Sequence, residues 1–318
     1  MKNLFRGIGI LLLLTVPLAG WGCAKDKQAK PLPPKAQENK YQEEPTISLF
    51  VNQTGEKKNI KLEDYLAGVV AAEMEPTWPV EALAAQAILA RTFTMENIQA
   101  GRVRKIHGTD ASTSVEEFQA YNPTRINDSV RKAVEMTRGE VALYKGRYIR
   151  AWFHACDGGI TATAKEGLAY IKEPTPYIKV VKDGCMDITV PENKAWRAEF
   201  PVAQVQQAAS QQGVKTGTIT SAQVIKKGPS GRAEKIKLGK GVVGGPALRL
   251  ALGSEKLRSM LLTDIRVEGG KVIFQGKGYG HGVGMCQWGA RDFAQQGKKP
   301  EDIVKYYFKD ISIAKKWK

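Results

Sequence analysis

Leu62-Glu-Asp-Tyr65-Leu66-Ala-Gly-Val69-Val70-Ala-Ala-Glu73-Met74, followed after Pro76-Thr-Trp-Pro79 by Val80-Glu-Ala-Leu-Ala-Ala-Gln-Ala-Ile-Leu-Ala-Arg91-Thr-Phe93, is the stretch on which the fold turns. Apolar residues recur at i, i+3, i+4, i+7 and i+8 from Leu62, the period of a helix with one buried face. Pro76 and Pro79 end that helix. A second is predicted over 80–99, with Pro79 and Glu81 suited to its first turn and an alanine content that allows close packing. Each apolar stripe carries one charge: Glu73 lies four after Val69, and Arg91 continues the row Leu83, Ala84, Ala87, Ile88. A carboxylate on an inward face is desolvated, which favours its protonated form and moves it toward the range of a general acid. The alternative is an ion pair between the two helices. The readings compete, because a guanidinium beside Glu73 would pull its pKa down.

Outward from this pair, the 318 residues carry 48 basic and 32 acidic side chains, a net charge of +16, with 42% hydrophobic and 25% charged residues. Such a composition excludes a collagen, a coiled coil or a mostly disordered chain. Lys2 and Arg6 precede an apolar run over 8–19, the length of a signal-peptide core and short for a membrane span. A multi-span membrane protein is therefore excluded and export to the cell envelope is expected. Gly22-Cys23 before Ala-Lys-Asp-Lys resembles a lipoprotein cleavage site at which Cys23 would be acylated; an uncleaved membrane anchor and ordinary signal cleavage are the alternatives. Residues 24–45 mix Lys, Gln, Glu and Pro with little apolar content and read as a tether. The expected organisation is a signal or anchor over 1–23, the tether over 24–45, and one domain over 46–318. An exported polycation meets anionic wall polymers, so no nucleic-acid partner is expected.

Strands are predicted near 47–51, 140–143, 147–153, 178–181, 224–227, 235–238 and 272–275. Helices are predicted at 63–74, 80–99, 127–136, 202–212, 246–251, 286–296 and 301–308. They are grouped rather than alternating, which favours an α+β fold, with a mixed sheet and packed helices, over a doubly wound one.

Glycines at 276, 278, 280, 282 and 284 alternate, so an extended stretch would leave one face bare for a sugar ring or another backbone. No register of this tract gives G-x-G-x-x-G, so dinucleotide binding is set aside, and no cofactor is expected. Four cysteines are too few for a disulfide scaffold. His154 and Cys156 share a face if extended, as a Cys–His hydrolase needs, but an exported thiol more readily oxidises. A Cys156–Cys185 disulfide with Cys286 free is expected.

The helix pair resembles the signature of the stage II sporulation protein D family, which includes amidase enhancers. The resemblance continues in order through Gln119-Ala-Tyr121, Phe153-His-Ala-Cys-Asp-Gly-Gly159 with Thr161, Pro176-Tyr-Ile178, Leu248-Arg249, Leu257-Arg-Ser259 and Gly278-Tyr-Gly-His-Gly-Val-Gly-Met-Cys-Gln-Trp-Gly-Ala290. It implies a peptidoglycan lytic transglycosylase acting on glycan strands stripped of stem peptides, during engulfment in sporulation. The family's catalytic glutamate matches Glu73, and an arginine important to its activity matches Arg91, expected to orient that glutamate or a substrate carboxylate. A non-catalytic activator of a peptidoglycan amidase is the alternative the same resemblance carries. Candidate substrate contacts are Gln119, Tyr121, His154, Tyr279, His281, Gln287 and Trp288. Some relatives bind zinc in the segment corresponding to 107–121; it holds no cysteine here, and no metal is expected.

Overall fold

The computed structural model describes residues 43–318. The signal or anchor over 1–23, with Cys23, and nearly all of the tether lie outside the described residues. At the end of the tether, the Glu44 carboxylate accepts the Glu63 amide N–H at 2.8 Å, satisfying a donor at the start of helix α1 (Leu62–Glu73). Helix α2 (Val80–Ala100) follows, closed by Gly101 in the left-handed conformation.

The fold is α+β. The strands form small sheets of two or three rather than one large sheet. Strand Thr46–Val51 pairs antiparallel with Glu56–Lys61, and strand Glu140–Tyr144 pairs with the C-terminal strand Ile311–Lys315. Among the helices against α2 are Asp128–Met136, Gln287–Gln295 and Pro300–Tyr307.

Apolar side chains gather into two large cores. The first runs from Ile47 to Cys185 and resumes at Tyr279–Trp317. The second lies wholly within 196–274, where Trp196–Pro201, Lys271–Gly276 and Leu262–Glu268 form one sheet and Ala222–Lys227, Ala233–Leu238 and Gly241–Gly244 another. Helices Val202–Ser210 and Gly245–Leu252 pack with these sheets.

Two expected strands differ. The run 147–153 is divided: Arg147–Tyr148 pairs with Glu140–Tyr144, while Phe153–His154 pairs in parallel with Met285–Cys286. Between them the Arg150 amide donates to the Tyr177 hydroxyl at 2.9 Å, so the chain crosses from one sheet to another. Of 178–181, only Ile178 makes a bridge, to Phe308.

The glycine tract bends instead of lying extended. Gly280 (φ 112°) and Gly284 (φ 74°) occupy backbone conformations that side-chain-bearing residues rarely adopt. A Cβ at Gly284 would stand 2.0 Å from the Trp152 carbonyl oxygen, and one at Gly280 2.8 Å from the His154 Cβ. The bare face therefore receives protein, not a sugar: Gly280 and Gly284 meet the chain at 152–155, Gly282 the Arg232 guanidinium and Gly276 the Trp196 ring.

Candidate functional site

The last turn of α1 opens on a cleft of about 590 Å³ whose lining includes Glu73, Glu75, Trp78, Arg258, Tyr279 and Trp288. Stretches far apart in sequence build it. The end of α1 and its link to α2 supply Glu73 and Trp78, Arg125, Ala155 and Asn193 come from the middle of the chain, the second-core region supplies Arg258, and the glycine tract with the helix after it supplies Tyr279, Gln287 and Trp288.

Glu73 is half-buried at the cleft wall, and its Oε1 accepts the Ala120 amide N–H at 2.9 Å. Burial pushes its carboxyl up to about 8, against a smaller downward pull from that hydrogen bond. At neutral pH the group is thus mostly a protonated acid, the form an acid catalyst requires. Glu75, also on the cleft, is paired instead with Arg125 at 2.9 Å.

The raised pKa has a thermodynamic consequence. Between the unfolded value, about 4.5, and about 8, the folded protein holds a proton the unfolded chain has lost. Folding stability from this group is complete below that window and falls as pH rises through it. Glu73→Gln should therefore gain stability relative to wild type as pH goes from 5 to 9, by on the order of a few kcal/mol. Parallel melting temperatures of the two proteins across that range would contradict the shift.

Aromatic faces form the opposite wall. The Trp78 and Trp288 rings meet at 4.8 Å, tilted by 60°, with the Arg291 guanidinium 5.2 and 5.0 Å from their centroids. Arg258 lies 4.0 Å over the Tyr279 ring and donates to Asn193 Oδ1 at 2.6 Å. Flat apolar faces flanked by fixed donors suit the alternating faces and hydroxyls of a sugar chain. Gln287, Trp288 and Tyr279 thus join Glu73 at one place.

Other expected site residues go elsewhere. Arg91 is fully buried and does not reach Glu73. Its Nε and Nη2 donate to the Glu63 carboxylate at 3.0 and 2.5 Å, and its remaining hydrogen bonds go to the carbonyls of Ala87, Val134 and Glu140. With every donor engaged, it has none for a substrate carboxylate. The correction has a physical cause: Glu63 lies across from the middle of α2, whereas Glu73 lies one helix length away, at the opposite end of α1.

Gln119 is also buried, its Nε2 donating to Thr94 at 3.0 Å, and Tyr121 stacks on Tyr65 at 5.5 Å against Gly68. That segment gives the site a backbone amide rather than those two side chains. His154 and His281 face each other at 5.6 Å beneath the surface. His281 borders a separate pocket with Phe93, Glu96 and Arg249, and burial with the nearby Arg249 and Arg232 charges lowers it to about 3. Neither histidine borders the Glu73 cleft. Cys156 and Cys185, expected to be bridged, are adjacent but unbonded, with Sγ atoms 3.5 Å apart; Cys286 is free, as expected, and close enough to interact with both.

Sequence reasoning did not assign Trp78, Asn193, Arg125 or Arg258. Trp78 was visible as the aromatic between two helix-ending prolines, and Arg258 sits in the Leu257-Arg-Ser259 motif. For Asn193 and Arg125 no local signal exists.

These helices, this cleft and the motifs that line it mark a chain that belongs to the stage II sporulation protein D family. A family model described as "Stage II sporulation protein" matches residues 51–144, and one described as a domain of unknown function matches 187–284, which contains the second core. Stage II sporulation protein D of Bacillus subtilis (strain 168) is 30% identical over 323 residues, covering 95% of this chain and 90% of its own length. That of Bacillus amyloliquefaciens is 32% identical over 269 residues, covering 81% and 75%. The amidase enhancer of Bacillus subtilis is 28% identical over 300 residues, 78% of this chain but 40% of the enhancer. Among the described residues no helix is long and apolar enough to cross a membrane.

Proposed function

We propose that the protein is an exported cell-envelope enzyme of sporulation, a lytic transglycosylase that cleaves MurNAc–GlcNAc bonds of denuded peptidoglycan and leaves 1,6-anhydroMurNAc ends. The observation that carries this is Glu73: one carboxyl group, protonated at neutral pH by burial, on the wall of a cleft with aromatic faces.

Hydrolysis of a glycosidic bond ordinarily takes two carboxyl groups, one acid and one base or nucleophile. Internal ring closure takes one. Glu73 protonates the bridging oxygen as the bond breaks; the resulting carboxylate then accepts the proton of the MurNAc C6 hydroxyl as that oxygen bonds to C1. The proton count is restored and no water enters. The +16 charge supports residence on an anionic wall, held at the membrane by the N-terminal segment or a lipid on Cys23. The similarity to an amidase enhancer supports a second reading, in which the cleft only binds glycan and the partner is a wall amidase.

Purified protein mixed with denuded glycan should release fragments one water lighter than hydrolysis products, with a rate that falls above pH 8 as Glu73 ionises. Binding without fragments would leave the enhancer reading. Trp288→Ala should weaken glycan affinity about fivefold to tenfold, the scale of one aromatic contact, measurable by co-sedimentation with the polymer. Unchanged affinity would remove the aromatic wall from the binding site.

A further inference from the structure

We propose that Cys156, Cys185, Cys286 and Asp157 bind one thiophilic divalent cation of the zinc class, which fastens the back of the cleft. This site is separate from 107–121 and from Glu73.

The donors converge from three segments. Sγ of Cys156 and Cys185 are 3.5 Å apart, and the ligand atoms of Asp157, Asp183, Cys185 and Cys286 all lie within 4.8 Å of one another. Two sulfurs bound to one tetrahedral zinc ion at about 2.3 Å are roughly 3.8 Å apart, near the spacing found here. Three sulfurs at one point also exceed what a disulfide can use.

Asp157 is fully buried. Its Oδ1 accepts from the Cys185 thiol at 2.8 Å and the Gly159 amide at 2.7 Å, while its Oδ2 has no partner among the described residues. A buried carboxylate oxygen without a partner is costly, and a cation would satisfy it. Asp183 already accepts the Cys185 amide and the Tyr307 hydroxyl, so it stands behind the ligands rather than among them.

Two donors stand beside the cluster. The Gly289 amide donates to Cys286 Sγ at 3.3 Å, from the first turn of the helix Gln287–Gln295. Arg232, buried, donates to the Asp157 carbonyl oxygen and brings a positive charge to the cluster. Such outer hydrogen bonds fix ligands and balance their charge. On binding, the three thiols release their protons to solvent and the cation takes their place.

The position gives the cation a use. Ala155, before Cys156, and Gln287 and Trp288, after Cys286, border the Glu73 cleft, and the Cys156 and Tyr279 backbones are hydrogen-bonded to each other. One ion would therefore lock both strands of the cleft wall and the helix that presents Trp288.

The test is metal analysis of protein purified without chelator, with Co²⁺ exchange as the spectroscopic probe. One zinc per chain and an intense near-ultraviolet thiolate-to-cobalt band are expected. Cys286→Ser should lose both, and Asp157→Asn should weaken zinc binding at least tenfold, with circular dichroism reporting that each variant folds. Should Cys286→Ser fail to fold, the wild-type cobalt band decides. A metal-free wild-type protein that gives no band with added Co²⁺ overturns the proposal, whether intact mass shows a Cys156–Cys185 disulfide or thiol titration shows three free thiols.

Discussion

Glu73→Gln should abolish anhydro-ended products from denuded glycan while leaving glycan binding within about twofold of wild type. The change keeps the size of the side chain and an oxygen to accept the Ala120 amide, but removes the transferable proton. General acid–base catalysis by a placed side chain is worth about 10² to 10⁴ in rate, and in the proposed mechanism one group performs both transfers, so the loss should reach the top of that range. Glu75 is no ready substitute, held by Arg125. Product release by Glu73→Gln at even a tenth of the wild-type rate would refute the assignment. The same variant should melt higher than wild type at alkaline pH, a result that a merely misfolded protein could not give.

The second large effect belongs to Arg91 and is one of stability. Glu63 receives two hydrogen bonds from Arg91, one from the Gly139 amide and one from the Trp317 indole at 2.8 Å, tying α1, α2, the strand Glu140–Tyr144 and the C-terminus together. Arg91→Ala would leave the Glu63 carboxylate buried without its counter-charge, a loss of about 3 to 5 kcal/mol. For a chain of this size that lowers the melting temperature by on the order of 10 °C. Activity per folded molecule, measured well below the transition, should stay within a few-fold of wild type. A variant that melts normally yet is inactive would return Arg91 to the catalytic group.

That arginine also shows where sequence reading ended. The 3.6-residue period placed both helices to within a residue or so, and it identified Glu73 as a charge on a buried stripe. It could not say what faces Arg91, because α1 is buried almost all round: Glu63 and Ala67 through Ala71 are covered as well as the stripe. A helix without a free face has no unique inward direction, so the partner of a charge upon it is set by tertiary packing. The glycine tract failed differently. Its alternation was legible, but only the φ values separate a bare strand face from a chain that folds against its neighbour, as Gly284 does on Trp152. Strand Glu56–Lys61 passed unnoticed because it is an exposed lysine-rich edge with no apolar alternation to detect. The three cysteines, 29 and 101 residues apart along the chain, met only through folding.

In the proposed mechanism, bond breaking uses a sugar hydroxyl in place of water. Digestion of denuded glycan in water enriched in heavy oxygen, followed by mass analysis of the new ends, tests it most directly. The proposed mechanism yields ends that lack one water and carry no solvent oxygen. Reducing ends labelled with heavy oxygen would make the protein a hydrolase with a second catalytic base, contradicting the single-carboxyl mechanism.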